Sequence, residues 1–184
     1  MVVSTQDFKP NYADRMLSPV INENVTPGLW KLWDRFPLRV TVLETGRFFS
    51  DTRFACIKRA CERWRKATAT LAGGGVSFVV NHGKPLKSAQ IVFELCDNHD
   101  MNQYGGYSSM EEPGRVNVQL SATRTSGDPT ADWLLERVAT HELGHALGIG
   151  GHSPDAADIM STDYRSVEIT RSDINTLRLV YANP

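Results

Sequence analysis

The stretch HELGHALGIGGH, residues 141–152, decides how the rest of this 184-residue chain is interpreted. It opens with the pattern HExxH, which places His141 and His145 four residues apart. On a helix this spacing puts both imidazoles on one face, one turn apart, where they can bind a single metal ion. Imidazole nitrogens suit Zn²⁺, and Glu142 has the position of a general base that is not itself a ligand. The stretch predicts a helix that carries a zinc site.

The residues after HExxH indicate where a third ligand lies. Gly148 stands where helices commonly end in a left-handed residue, a conformation that glycine adopts without strain. The chain can then turn back and present His152, and Gly150 and Gly151 add the freedom that such a return needs. A catalytic zinc has three protein ligands and one open position, so the three histidines of the stretch are the expected set.

Composition restricts the other classes of function. Net charge is −1, with 41% hydrophobic and 22% charged residues, which is typical of one soluble globular domain and gives no argument for nucleic acid binding. No apolar run approaches the roughly 20 residues of a membrane span. The three cysteines are an odd number, so no disulfide framework is expected. The first 20 residues lack the apolar core of a signal peptide, which indicates an intracellular chain or a leader absent from this sequence.

Hydrophobic periodicity gives the order of the elements. Residues 1–30 show no sustained period and are expected to form an irregular N-terminal arm before a single domain at 31–184. Strands are predicted at 38–44, 76–80, 89–95 and 115–121, and helices at 50–71 and 170–181 and, with Asp128 as cap and Pro129 as first residue, before the zinc stretch. Thr170 and Asp173 are spaced as a capping box at the start of the last helix.

Residues 96–114 read as a polar, glycine-containing loop rather than as a regular element. The loop carries the carboxylates Asp97, Asp100, Glu111 and Glu112. Carboxylate oxygens are the ligands that calcium prefers, although this spacing matches no known calcium loop. A structural Ca²⁺ is therefore a secondary expectation beside the single Zn²⁺.

Three segments of the chain together resemble a known family. HELGHALGIGGHS at 141–153, DIM at 158–160 and EITRSDINTLRLVY at 168–181 resemble the metzincin clan, and within it the matrixins, which are matrix-metalloprotease-like zinc endopeptidases of the bacterial type. The resemblance extends over residues 33–182. It implies an α+β fold, with a twisted, mostly parallel sheet of about five strands, a backing helix, a zinc-binding active-site helix and a C-terminal helix.

The resemblance implies a role for each residue of the stretch. His141, His145 and His152 would be the zinc ligands, and Glu142 would be the general base and proton shuttle of a zinc-dependent endopeptidase. Met160 would form the methionine turn of the clan, an apolar floor beneath the metal.

The resemblance also implies how substrates bind. The strand near residues 105–110 would be an exposed edge along which an extended protein or peptide substrate pairs, with Gly106 and Tyr107 in contact with it. Tyr164 is the tyrosine nearest to the position from which matrixins contact substrate. The family implies a secreted protein, and we expect a monomer without nucleic acid or membrane partners.

The chain departs from the family pattern at three points. The usual spacing HExxHxxGxxH would put the third ligand at 151, where this chain has Gly151, so His152 implies a one-residue insertion. Met160 is followed by Ser161 and Thr162 instead of the typical tyrosine and proline. No propeptide cysteine motif of the form PRCGxPD occurs before residue 38, so latency by that route is not expected.

Two alternatives to this hypothesis stay open. The first is a zinc peptidase whose third ligand is a glutamate, with Glu168 as the main candidate. The second is a zinc domain without catalysis that binds peptides. The presence of Glu142 argues against the second alternative, because a structural zinc site needs no base and closes its fourth position.

Overall fold

The chain forms five strands and three α-helices in the part that the computed structural model describes, namely residues 4, 6–18, 26–44, 47–71, 74–97, 105–123, 128–163 and 165–182. The strands are β1 (Leu38–Leu43), β2 (Phe78–Gly83), β3 (Ile91–Cys96), β4 (Gly106–Glu112) and β5 (Arg115–Ser121). The helices are α1 (Asp51–Thr68), α2 (Asp132–Ala146) and α3 (Arg171–Ala182), and a short 3-10 turn occupies Ala13–Arg15.

All five strands belong to one sheet, in the order β2-β1-β3-β5-β4. Four neighbouring strands of the sheet, β2, β1, β3 and β5, are parallel to one another. Strand β4 pairs antiparallel with β5 at one end of the sheet. One edge of β4 therefore has no strand beside it in the described part of the chain, and its backbone groups on that side are open to another chain. The predicted α+β fold with a mostly parallel five-stranded sheet and three helices is confirmed.

Helix α2 lies in the core rather than on the surface. Every residue from 135 to 144 is buried. The indole nitrogen of Trp64, on α1, donates a hydrogen bond to the Thr140 carbonyl at 2.8 Å, and the indole nitrogen of Trp33 donates to the Ala146 carbonyl at 2.7 Å. Two buried tryptophans thus hold the helix that carries HExxH at two separate turns.

The segment before β1 packs against the rest of the chain at two places. Tyr12 is buried, and its hydroxyl donates to the carboxylate of Asp173 on α3 at 3.0 Å. Leu17 and residues 28–30 form backbone hydrogen bonds with the loop at 148–152 that follows α2. The described residues of this segment, 6–18 and 26–30, are called the N-terminal arm below.

Several elements follow the sequence prediction closely. Strand β5 has the predicted bounds, because Val116, Val118 and Leu120 face the core in strict alternation. The capping box of α3 is confirmed, since the Asp173 amide donates to the Thr170 hydroxyl at 3.2 Å and the Thr170 amide donates to the Asp173 carboxylate at 2.8 Å.

Other elements differ from the prediction. Helix α2 begins at Asp132, not at Pro129, because Pro129 forms a bridge with Thr123 and the Thr130 amide donates to the Ala122 carbonyl. Strand β2 begins at Phe78 and continues through residues 81–83, beyond the predicted end at residue 80, because these residues pair in register with the end of β1.

The predicted loop at 96–114 contains β4. Its outward residues Tyr107 and Met110 are exposed, so the strand carries no alternating apolar face that periodicity can detect.

None of the helices in the described ranges is long and apolar enough to cross a membrane. None of the three cysteines, all within the described ranges, forms a disulfide bond. Burial raises the pKa of Cys61 to about 12, so this thiol is inert at neutral pH.

Candidate metal centre

Three histidines converge at the end of α2. His141 and His145 lie one turn apart on the helix, and His152 comes from the loop that returns beneath it. One ring nitrogen of each lies within 4.8 Å of the other two. Because a zinc–imidazole bond measures roughly 2.0–2.1 Å, a single ion between the rings can reach all three nitrogens after small adjustments.

Hydrogen bonds select which nitrogen of each ring faces the centre. The Nδ1 atom of every ring lies against a backbone carbonyl oxygen, which can only accept a hydrogen bond. Nδ1 therefore carries the proton, and the lone pair of Nε2 is left for a metal. The carbonyl partners are Ile159 at 2.8 Å for His141, Ile149 at 2.7 Å for His145 and Ser18 at 3.5 Å for His152.

The environment keeps the three rings neutral, which is the form that binds metal. Burial, followed by the neighbouring His145 and His152, holds the pKa of His141 well below its usual value. Burial also lowers the pKa of His145, and it lowers the pKa of His152 to about 4. Three neutral nitrogen donors, with no fourth ligand residue in the cluster among the described residues, match the donor set of a catalytic zinc site, so the residues present fit the metal.

Glu142 lies next to this cluster and belongs to neither the ligand set nor the solvent-exposed surface. Its side chain is buried, and the hydroxyl of Ser108, on β4, donates to its Oε2 atom at 2.7 Å. Burial raises the pKa of Glu142 to about 7, while the Ser108 hydrogen bond and the charge of Arg137 act in the opposite direction. A carboxyl group with a pKa near neutrality is suited to both accepting and returning a proton.

Met160 lies in a tight turn directly beneath α2. The Ser161 amide donates to the Asp158 carbonyl at 3.1 Å and closes the turn. A Cβ atom added at Gly144 would lie 2.2 Å from the Met160 sulfur, so the thioether packs against the helix backbone between the two histidine turns. Ile159, from the same turn, supplies the carbonyl that orients His141.

Comparison with known proteins assigns the family. The matrixin family model matches residues 43–182. The chain belongs to the matrixin family. The match includes α1, the zinc stretch, the turn at Met160 and α3, and it excludes the whole N-terminal arm.

Two curated proteins are similar to this matrixin. A protein named metalloendoproteinase 2-MMP, from Arabidopsis thaliana, is 31% identical over 144 residues, which are 68% of this chain and 36% of the relative. An archaemetzincin from Methanopyrus kandleri is 42% identical over 69 residues, which are 36% of this chain and 38% of the relative. The matched regions thus span little more than a third of the length of either relative.

The N-terminal arm holds the loop that carries the third histidine. The backbone of His152 exchanges two hydrogen bonds with that of Leu17, each 2.9 Å long. Gly150 pairs in the same way with Gly28, and the Trp30 amide donates to the Gly148 carbonyl at 2.9 Å. Residues outside the family match therefore hold the loop at 148–152 through backbone hydrogen bonds.

The glycines of the loop serve two different purposes. Gly148 has a φ of +110° at the end of α2, which confirms the predicted left-handed helix end. Gly150 and Gly151 do not have positive φ values, so the idea that they supply conformational freedom is wrong. Their lack of a side chain leaves room for residues of the arm to pack against the loop. A Cβ atom at Gly150 would lie 1.9 Å from the Trp30 ring, and one at Gly151 would lie 2.7 Å from Pro27.

Asp173 connects the arm to the methionine turn. Besides capping α3, its carboxylate accepts hydrogen bonds from the amides of Ile159 at 3.0 Å and Met160 at 3.3 Å, and from the hydroxyl of Tyr12. The capping-box spacing predicts only the local role of Asp173. Its contacts with the turn and the arm depend on tertiary packing and leave no signal in the sequence.

The predicted substrate-binding residues lie partly in the described region. Gly106 and Tyr107 are on β4, the edge strand beside α2, and Tyr107 is exposed. A Cβ atom at Gly106 would lie 2.6 Å from the Glu142 carboxylate, so the edge strand approaches the site closely. Tyr164 lies outside the described residues.

The remaining candidates have other partners. Glu168 forms an ion pair with Arg63 at 3.2 Å and is not a member of the metal-ligand cluster found among the described residues. Asp97 pairs with Arg47, and Glu112 pairs with Arg115, each through an ion pair. Asp100 and the side chain of Glu111 lie outside what the structure describes, and calcium binding stays a prediction.

Proposed function

We propose that this matrixin is a zinc-dependent endopeptidase that hydrolyses peptide bonds in proteins, with His141, His145 and His152 as the zinc ligands and Glu142 as the general base. The observation that carries the proposal is the arrangement of three neutral imidazole nitrogens beside a buried carboxylate that is not one of them. Residues 31–184 would form the catalytic domain, with the N-terminal arm packed on it.

The substrate would bind as an additional strand. The free edge of β4 offers unpaired backbone groups next to α2, which suits an extended peptide that pairs antiparallel or parallel to it. Tyr107 projects from this strand toward solvent, where it can contact the substrate. Pairing along β4 would place a peptide bond of the substrate across the mouth of the histidine cluster.

Glu142 would carry the proton through the reaction. Zinc held by the three imidazoles would supply a Lewis acid that polarises a carbonyl group and acidifies a water molecule. Glu142 would accept a proton from the attacking water and deliver it to the amine nitrogen as the peptide C–N bond breaks. Its buried position supports this role, because a pKa raised toward neutrality lets one carboxyl group act first as base and then as acid.

The alternatives have less support. A glutamate third ligand requires Glu168 to leave Arg63 and displace His152, whose ring already lies in the cluster. A domain that only binds peptides has no use for a buried carboxylate beside the metal, and its zinc would normally have four protein ligands.

The test is cleavage of a mixed-sequence peptide library by zinc-loaded wild type and by the E142A, H152A and E168A variants, with zinc content measured in each. We expect wild type and E168A to cut and to hold zinc, E142A to hold zinc without cutting, and H152A to lose the metal. Equal cleavage by wild type and E142A would contradict the assigned base. Retained zinc in H152A together with loss in E168A would establish the rival ligand.

A further inference from the structure

We propose that Ser108, on the edge strand β4, is a positioning residue that holds the Glu142 carboxylate in place for proton transfer. The proposal rests on the proposed peptidase function and adds a residue to it. HExxH does not contain Ser108, which lies 34 residues from Glu142 in the sequence.

The contact is specific in its geometry. The Ser108 hydroxyl lies 2.7 Å from Oε2 of Glu142 and 3.2 Å from the Glu142 carbonyl oxygen, so its single proton is directed at the carboxylate. The Ser108 hydroxyl and the Glu142 carboxylate meet at the interface between β4 and α2. Within the described part of the chain, Ser108 is the one hydrogen-bond donor to this carboxylate.

Gly106 makes the close approach of the strand possible. It lies two residues before Ser108 and therefore faces the same side of β4. A Cβ atom there would lie 2.6 Å from Oε1 of Glu142 and 2.6 Å from Cγ1 of Val138. The strand thus touches one carboxylate oxygen with a residue that has no side chain and binds the other oxygen with a hydroxyl. This pairing confines a side chain that otherwise rotates about three bonds.

The arrangement leaves Glu142 able to react. A carboxylate has about four lone-pair sites, and one hydrogen bond from Ser108 occupies only one of them. The remaining sites can accept a proton from water. A fixed carboxylate needs no reorientation between taking the proton and returning it, which is the advantage of a preorganised site.

The S108T variant provides the matched control. It keeps a hydroxyl at the same position on β4 and adds only a methyl group, so it tests whether the effect of S108A comes from the lost hydrogen bond to Glu142.

The experiment measures kcat and KM for one cleaved peptide with wild type, S108A and S108T, all at verified full zinc content. We expect S108A to lower kcat on the order of 10-fold with little change in KM, because a hydrogen bond to a charged group is lost. S108T keeps the hydroxyl and is expected to retain most of the rate.

A second measurement does not depend on turnover. The affinity of the same peptide is compared for E142A and the S108A/E142A double variant, and equal affinities are expected because Ser108 acts through Glu142. Weaker binding by the double variant would show that Ser108 contacts substrate, which overturns the proposal. A wild-type kcat in S108A, or equal impairment of S108A and S108T, would also overturn it while leaving the peptidase function intact. An inactive wild type would overturn both.

Discussion

Gly150 gives the sharpest test of how the N-terminal arm and the metal loop fit together. An alanine at this position needs no unusual backbone conformation, because the φ of Gly150 is not positive. Its Cβ atom would nevertheless lie 1.9 Å, 2.3 Å and 2.5 Å from three carbon atoms of the Trp30 ring. G150A must therefore move the indole or the loop, and any cost arises from this one contact.

The exposure of Trp30 limits the size of that cost. Trp30 is 45% exposed, so slightly more than half of its surface is packed. For an aromatic side chain of about 250 Å², this corresponds to about 140 Å² of packed surface. At about 25 cal/mol per Å², complete displacement of the ring would cost about 3.5 kcal/mol. A partial rotation costs less, so we expect G150A to lower the free energy of unfolding by about 1–3 kcal/mol.

The assay is urea unfolding of wild type, G150A, W30A and W30A/G150A, combined with zinc affinity from competition with a chelating dye. Because the clash needs the indole, G150A should cost almost nothing in the W30A background. Zinc should bind more weakly to G150A, since His152 lies two residues further along the displaced loop.

Gly28 supplies the control for this cycle. It pairs with Gly150, and its added Cβ atom would lie 3.4 Å from the Trp30 ring, at an ordinary contact distance. G28A is therefore expected to change stability by less than about 0.5 kcal/mol. The reasoning is refuted if G150A costs the same with and without the Trp30 indole, or if G28A is as damaging as G150A.

Two further predictions follow from the same region. Y12F removes the hydroxyl that donates to the Asp173 carboxylate. We expect urea unfolding to show a free energy of unfolding lower by about 1.5–3 kcal/mol, because a buried charge-assisted hydrogen bond disappears. An unchanged unfolding curve would show that the Tyr12–Asp173 contact contributes nothing to stability. Removal of zinc with a chelator should lower the free energy of unfolding by about 2.7 kcal/mol relative to protein in free zinc at 100 times its Kd; the H152A variant is the control, and an equal response of that variant would show that the effect is not due to this site.

The sequence could predict the parts of the molecule that depend on local pattern. HExxH predicts two histidines on one face of a helix, because positions i and i+4 are neighbours on a helix. The alternation of Val116, Val118 and Leu120 predicts β5, because residues two apart lie on the same face of a strand and one face of β5 is buried.

Hydrophobic periodicity could not predict strand β4. As an edge strand it has Tyr107 and Met110 exposed, so its composition resembles a loop, and only the family resemblance indicated a strand there.

The structure adds contacts that no local pattern contains. Ser108 lies at the carboxylate of Glu142 because β4 packs against α2 at Gly106, a consequence of sheet order rather than of sequence spacing. The arm shows no hydrophobic period because it joins the fold at isolated points, through backbone pairs with an irregular loop and through single side chains such as Tyr12.

The arm restrains the loop that carries His152. Ordering an irregular loop costs conformational entropy of roughly 1–2 kcal/mol per residue. The backbone pairs of Leu17 with His152 and of Gly28 with Gly150 offset that cost by fixing both the ligand and the residue two positions before it.

The arm also contacts the turn at Met160 indirectly, because the Tyr12 hydroxyl donates to the Asp173 carboxylate, which accepts hydrogen bonds from the amides of Ile159 and Met160. Ile159 in turn orients His141. Residues outside the family match thus pair with the backbone of His152 and bind Asp173, the residue that holds the turn whose carbonyl orients His141. The geometry of the candidate metal site therefore depends on the arm and the domain together. If the three histidines bind zinc as proposed, variants in the arm should change zinc affinity, although no described side chain of the arm belongs to the histidine cluster.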